Sequence, residues 1–283
     1  MTGAREHGVD AATRLFYDDV RGTEPHRSFI AAVDATDPAA PLPPTRARLL
    51  VAPAAFHREY PRLGADGAVV RAEARALGIP TALIPTRSTG GVRENARIVR
   101  DALAAEEDGS VVLVSLSKGG TEVRRALEEG GAPVRKVRVW VNVCGLVRGT
   151  PLVDRVLAGP WWRRVPVRAF LARHRADMGM LRGLEHGPGG HAAAPPGVFV
   201  VNVVACPLSG HTAGALARRH RLLGALGPND GSTLLRDAVV EGGVIYPVWG
   251  ADHYFRTPGA PALIRRILLH LGARGHLPPL PTA

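Results

Sequence analysis

Residues 111–127 read Val111-Val-Leu-Val-Ser-Leu-Ser117-Lys-Gly119-Gly-Thr-Glu-Val-Arg-Arg-Ala-Leu127, and this stretch decides the fold. A continuous apolar run suits a strand buried on both faces; a serine- and glycine-rich turn follows it, and a helical pattern starts at Thr121. A serine on a sharp strand-to-helix bend presents its hydroxyl outward. The residues two before and two after it must be small, because larger side chains collide across the bend. Ser115 and Gly119 meet that demand for Ser117. Choosing Ser115 instead would put the bulky Leu113 at the first crowded position, so Ser117 is the candidate nucleophile. The same pattern also suits a helix N-terminus that merely receives a phosphate or a water.

A serine hydroxyl is a weak nucleophile near neutral pH, so an imidazole must take its proton and a carboxylate must orient that imidazole. Both candidates lie downstream. Asp230 stands in the turn Gly227-Pro-Asn-Asp-Gly-Ser232, after an apolar run at 198–205 and a short helix-like insertion. His253 stands in Gly250-Ala-Asp-His-Tyr-Phe255, directly after a further run at 244–249. An Asp before Gly is also an ordinary turn former, and a loop His is also an ordinary surface residue. Three such residues, each following a predicted strand, argue for one site. Asp252 is the rival carboxylate, but neighbouring side chains on an extended loop diverge; Asp237 is expected inside a helix.

On Ser115-Leu-Ser117-Lys-Gly119, Pro228-Asn-Asp230-Gly231 and Gly250-Ala-Asp-His253, the chain resembles an α/β-hydrolase of the lipase and esterase type over about residues 48–271. The Asn-Asp-Gly turn is similar to that of bacterial lipases. Ser115 departs from the family's G-x-S-x-G pattern, which has glycine there. The resemblance implies a serine hydrolase that cleaves a carboxylic ester or thioester through an acyl-enzyme on Ser117, with no cofactor and no metal. An acyltransferase or cyclase could use the same triad, and a catalytically inactive binding or regulatory protein could keep the fold. The oxyanion of an acyl-transfer intermediate needs two backbone N–H donors. Lys118, after the nucleophile, is one; Ala55, with Phe56 next, is the other. Pro53-Ala54 stand where lipases commonly carry His-Gly.

Apolar runs at 49–52, 81–84, 111–115, 137–143, 198–204 and 244–248 are rich in valine, and helical patterns at 68–77, 92–105 and 121–129 separate the first of them. That alternation predicts an α/β protein with a doubly wound, mostly parallel sheet. The expected organisation is an N-terminal arm at 1–45, an α/β-hydrolase domain at 46–274 with a helical cap inserted at about 148–196, and a tail at 275–283. The prolines at 38, 41, 43 and 44 mark the first boundary. In the cap, residues 165–181 read as one helix, and Trp161, Trp162, Phe170, Met178 and Met180 are candidates to line an acyl pocket. The same residues could equally pack the cap onto the core.

Two cysteines in 283 residues make no disulfide framework, so Cys144 and Cys206 are expected as buried free thiols. Residues 1–7 lack a hydrophobic signal core, and no apolar run nears the roughly 20 residues that span a bilayer; a cytoplasmic protein without transmembrane segments is expected. The formal charge of +11 permits an acidic carrier protein or lipid surface as partner beside the small acyl substrate. All but two of its 36 basic side chains are arginine and they are scattered without interleaved aromatics, which argues against nucleic acid. The loop Thr86-Arg-Ser-Thr-Gly-Gly91 has no P-loop ending; Ser88 or Thr89 is expected to cap the helix after it. His57 is expected as a solvated loop residue.

Overall fold

The computed structural model describes residues 8–176, 178–187 and 192–280. The sheet comprises β1 (Arg48–Ala52), β2 (Thr81–Leu83), β3 (Val111–Leu116), β4 (Val137–Val143), β5 (Phe199–Cys206) and β6 (Val244–Trp249). All pair in parallel, in the order β2-β1-β3-β4-β5-β6. Side chains alternate faces along a strand. Leu49, Val51, Val112, Val114, Val139 and Val141 therefore belong to one buried cluster, while Leu50, Ala52, Val111 and Leu113 belong to another. Both faces are covered, which is why these strands read as continuous apolar runs.

The helices are α1 (Gly8–Gly22), α2 (His26–Asp34), α3 (Ala68–Ala76), α4 (Val92–Ala104), α5 (Lys118–Glu128), α6 (Ala132–Lys136), α7 (Pro151–Leu157), α8 (Trp161–Arg173), α9 (Met178–Arg182), α10 (Gly214–Gly224) and α11 (Ala260–Ala273). On one face, α4 and α5 bury Val99, Leu103, Val123 and Leu127. On the other, α3 and α11 bury Val70, Ala74, Leu263 and Ile267. Within residues 1–45, α1 and α2 bury Val20, Phe29, Ile30 and Val33, and both pack on β6. They cover an edge strand whose Pro247 could not serve in a central position.

Two expected helices are corrected. The helix after Ser117 starts at Lys118, three residues early, because Gly119 and Gly120 belong to its first turn. The single cap helix at 165–181 is broken: α8 ends at Arg173 and α9 begins at Met178, with Arg175 at φ 55° between them. Asp177 lies outside the described residues, as do residues 1–7 of the signal-core reading and 281–283 of the tail.

A buried polar ladder crosses the middle of the sheet. Ser115, Asn142 and Asn202 are register partners on β3, β4 and β5. Ser115 Oγ donates to Asn142 Oδ1 at 3.2 Å, and Asn142 Nδ2 donates to Asn202 Oδ1 at 3.1 Å. Trp140 Nε1 donates to Ser115 Oγ at 2.8 Å. The Ser115 hydroxyl thus serves both neighbours; without it the buried indole N–H and Asn142 Oδ1 would each lose a partner, at about 1–3 kcal/mol apiece.

Candidate active site

The chain leaves β1 for the edge strand β2 and returns to β3 on the other side. The loops after β1 and β3 therefore diverge at a switch point, where open α/β sheets form their crevices. Ser117 lies there at φ 49°, ψ −116°, a conformation sterically unfavourable to any residue with a Cβ. Three hydrogen bonds hold it: its N–H donates to Val143 O at 3.2 Å, and its carbonyl accepts from Gly120 N and Leu146 N at 2.9 Å each. A Cβ on Gly119 would lie 2.5 Å from Ala52 O, so α5 can approach the β1 loop only with glycine at that position.

The structure brings together the three residues singled out in the sequence. His253 Nε2 lies 2.8 Å from Ser117 Oγ, and His253 Nδ1 lies 2.7 Å from Asp230 Oδ2. An ionised carboxylate only accepts, so Nδ1 carries the hydrogen and Nε2 accepts from the serine hydroxyl. Asp230 is oriented by its own turn: Oδ1 accepts from Ser232 N and Thr233 N at 2.8 Å each, leaving Oδ2 for the imidazole. Asn229 Oδ1 accepts from Gly231 N, whose φ of 93° closes the turn, which explains the Asn-Asp-Gly sequence. His253 N donates to Asp230 O at 3.1 Å, tying the two loops together.

The rival carboxylates are engaged elsewhere. Asp252 accepts from Tyr254 N and Arg256 Nη2. Asp237 lies in the short 3-10 helix Leu235–Ala238 and accepts from His186 Nε2 at 3.0 Å.

Among the candidate oxyanion donors, Phe56 N donates to Ser88 O at 3.2 Å and Ala54 N to Ala65 O at 2.8 Å. Ala55 N and Lys118 N have no internal acceptor among the described residues. The Lys118 N–H belongs to the first turn of α5, where the helix dipole favours negative charge. The Lys118 side chain is buried and paired with Glu122, one turn along. Burial pushes the Glu122 carboxyl above its ordinary range, against the pull of Lys118. Asn95 Nδ2 donates to Glu122 Oε1 at 2.7 Å and to Arg87 O at 2.9 Å, while Asn95 Oδ1 accepts from Arg87 N. A buried polar chain thus runs from α5 through α4 to residues 87–88 and on to the loop bearing Ala55. Asn95 and Glu122 escaped the sequence reading, although the Lys118-x-x-x-Glu122 spacing was a signal for the second.

Two expectations fail here, and one of two open alternatives falls. Ser88 does not cap α4, whose N-cap is Gly91 with no side-chain bond; its hydroxyl donates to Glu59 and accepts from Arg58 N. His57 is buried, with Nδ1 3.0 Å from Ala54 O, and burial lowers its pKa. The cap aromatics and methionines do not line the cavity beside Ser117. That cavity, about 590 Å³, is walled by Val69, Val70, Leu116, Val143, Phe255 and Ile264, and it reaches Ala55, Ser117, Cys144 and His253. Cys144 and Cys206 are buried free thiols, as expected, and burial pushes both thiols up. Among the described residues there is no metal-binding cluster, and no helix is long and apolar enough to cross a membrane.

No protein-family profile and no curated protein matches this sequence. Solved structures do. The metagenomic carboxyl esterase MGS0156 is 20% identical with a TM-score of 0.60, covering 83% of this chain and 77% of that one. The Bacillus licheniformis lipase BlEst2 in its mature form is 15% identical with a TM-score of 0.55, covering 81% of this chain and 90% of that one. With six parallel strands in this order, helices on both faces and these structural relatives, the chain has the α/β-hydrolase fold.

Proposed function

We propose that the protein is a serine hydrolase that cleaves a carboxylic ester or thioester through an acyl-enzyme on Ser117. The observation that carries the reading is the unbroken hydrogen-bond line from Ser117 Oγ through His253 to Asp230, at 2.8 and 2.7 Å. Ser117 Oγ attacks the acyl carbon while its proton passes to His253 Nε2, and the carbonyl π pair moves onto oxygen. The N–H groups of Ala55 and Lys118 receive that oxyanion. The tetrahedral intermediate collapses, the bond to the leaving oxygen or sulfur breaks, and His253 returns the proton to the departing group. Water then follows the same path and releases the acid. Asp230 holds the imidazole tautomer and faces the imidazolium as it forms.

The apolar cavity beside Ser117 fits an acyl chain, and its volume lies in the range of small-molecule sites. A carboxyl esterase and a lipase among the structural relatives agree with this choice of substrate. An inactive protein with this fold could lack oxyanion donors at the loop of Pro53-Ala54; the open N–H of Ala55 speaks against that alternative. A screen of p-nitrophenyl esters and acyl thioesters tests the proposal. Turnover by the native chain should fall on the order of thousands-fold or more in Ser117→Ala, and full turnover by that variant would refute it.

A further inference from the structure

A helix on a protein surface normally turns its apolar face inward; α8 does the reverse. At about 100° per residue, Trp161, Trp162, Val165, Pro166, Ala169 and Phe170 fall within one half of its circumference, which they share with Ala172 and Arg173. All six are exposed, Trp161 by 73% and Trp162 by 59%. Leu171, on the opposite side, is the one residue of this helix whose side chain is described as buried. The charge around this face is one-sided. Between Asp154 and Glu185 the sequence holds seven arginines and a single acidic residue, Asp177. Arg164 turns back onto Gly159 O, whereas Arg168, Arg173 and Arg175 are exposed and have no carboxylate partner among the described residues.

We propose that α8 is an interfacial helix that seats this protein on an anionic lipid surface, with Trp161 and Trp162 entering the headgroup layer and the arginines pairing with lipid phosphates. Indole rings are amphipathic and settle at headgroup depth, and basic residues near an anionic bilayer each add attraction. An acidic protein partner would need its carboxylates set against arginines spread over several turns. A fluid bilayer brings mobile charges to any such arrangement and accepts an apolar ridge. The position also suits work at a lipid surface. Phe170 and His174 pack on Phe56 at 5.4 and 5.5 Å, and Tyr60 Oη lies 2.9 Å from His174 Nε2, so α8 is anchored on the loop that carries Ala55. This inference stands whether or not Ser117 is a nucleophile.

Flotation of the full chain with vesicles of phosphatidylcholine alone, or mixed with phosphatidylglycerol, tests it. The native chain should bind the mixed vesicles at low salt, bind phosphatidylcholine at least tenfold more weakly, and detach as salt rises. W161A/W162A and R168E/R173E should each lose at least tenfold in binding while keeping the native melting temperature, since all four side chains are exposed. No binding of the native chain to mixed vesicles would overturn the proposal, as would full binding by W161A/W162A. So would a native dimer that W161A/W162A dissolves, because the ridge would then cover a second copy of the chain.

Discussion

At Ser117 the backbone adopts φ 49°, which a side chain tolerates only because its carbonyl accepts from Gly120 and Leu146 and its N–H reaches Val143. Gly119 is the counterpart: a Cβ there would meet Ala52 O at 2.5 Å and Pro53 O at 2.9 Å. Gly119→Ala should push α5 and the β1 loop apart, and with them the N–H groups of Lys118 and Ala55, the proposed oxyanion donors. Ester kcat should fall about 100- to 1,000-fold, with a stability loss of about 1–3 kcal/mol; native kcat in a folded variant would contradict this. Residues of this kind were legible in the sequence, because a bend that needs small neighbours, or a turn that needs Asn-Asp-Gly, leaves a local imprint. The difference between the Ala55 and Phe56 N–H groups left none, since it depends on Ser88 O accepting the Phe56 N–H from 32 residues away. His57 and Ser88 were misread for the same reason: a loop residue's burial is set by what folds over it.

Among the elements, the strands were read nearly to the residue because both faces of the sheet are covered and the sequence can only be apolar there. The start of α5 was not, since Gly119 and Gly120 look like turn residues until Ala52 and Gly145 are seen pressing on them. Nor was the clamp between α4 and α5 visible. Asn95 is fully buried and binds Glu122 on one side and both backbone groups of Arg87 on the other. Asn95→Leu should release residues 87–88, loosen the loop that presents Ala55, and lower kcat about tenfold while leaving KM unchanged, because oxyanion donors act mainly in the transition state. A fall in melting temperature with native kcat would make Asn95 purely structural. The double variant K118M/E122L offers a control. An apolar replacement of a buried ion pair is often neutral or stabilising, so it should stay folded and yet lose activity, because Asn95 loses its anchor. Retained native kcat would separate the pair from the site.

Over the whole molecule, the cavity beside Ser117 could not be foreseen, because most of its lining comes from residues 54–70 and 253–264, segments nearly 200 positions apart with no shared pattern. Of the residues at 161–180 that could have lined it, Trp161, Trp162 and Phe170 are exposed and Met180 is buried away from it. The folded chain also carries a distributed sensitivity to acid. His26, His57, His220, His270 and His276 all have pKa values lowered from about 6.5, with burial the largest cause in each. Neither ring nitrogen of His220 has a hydrogen-bond partner among the described residues. A lowered folded-state value means the unfolded chain binds the proton more readily; the histidine contribution is complete above about pH 6.5 and is lost as pH falls below it. Melting temperature should therefore drop between about pH 7 and pH 5, and a flat profile would contradict this account of the histidines. The central claim is that Ser117, His253 and Asp230 form a working acyl-transfer site, and a fluorophosphonate probe tests it most directly. Peptide mass spectrometry should find one equivalent of phosphonyl adduct on Ser117 in the native chain and none in folded Ser117→Ala; an unlabelled native protein, or a label on another residue, would contradict the claim.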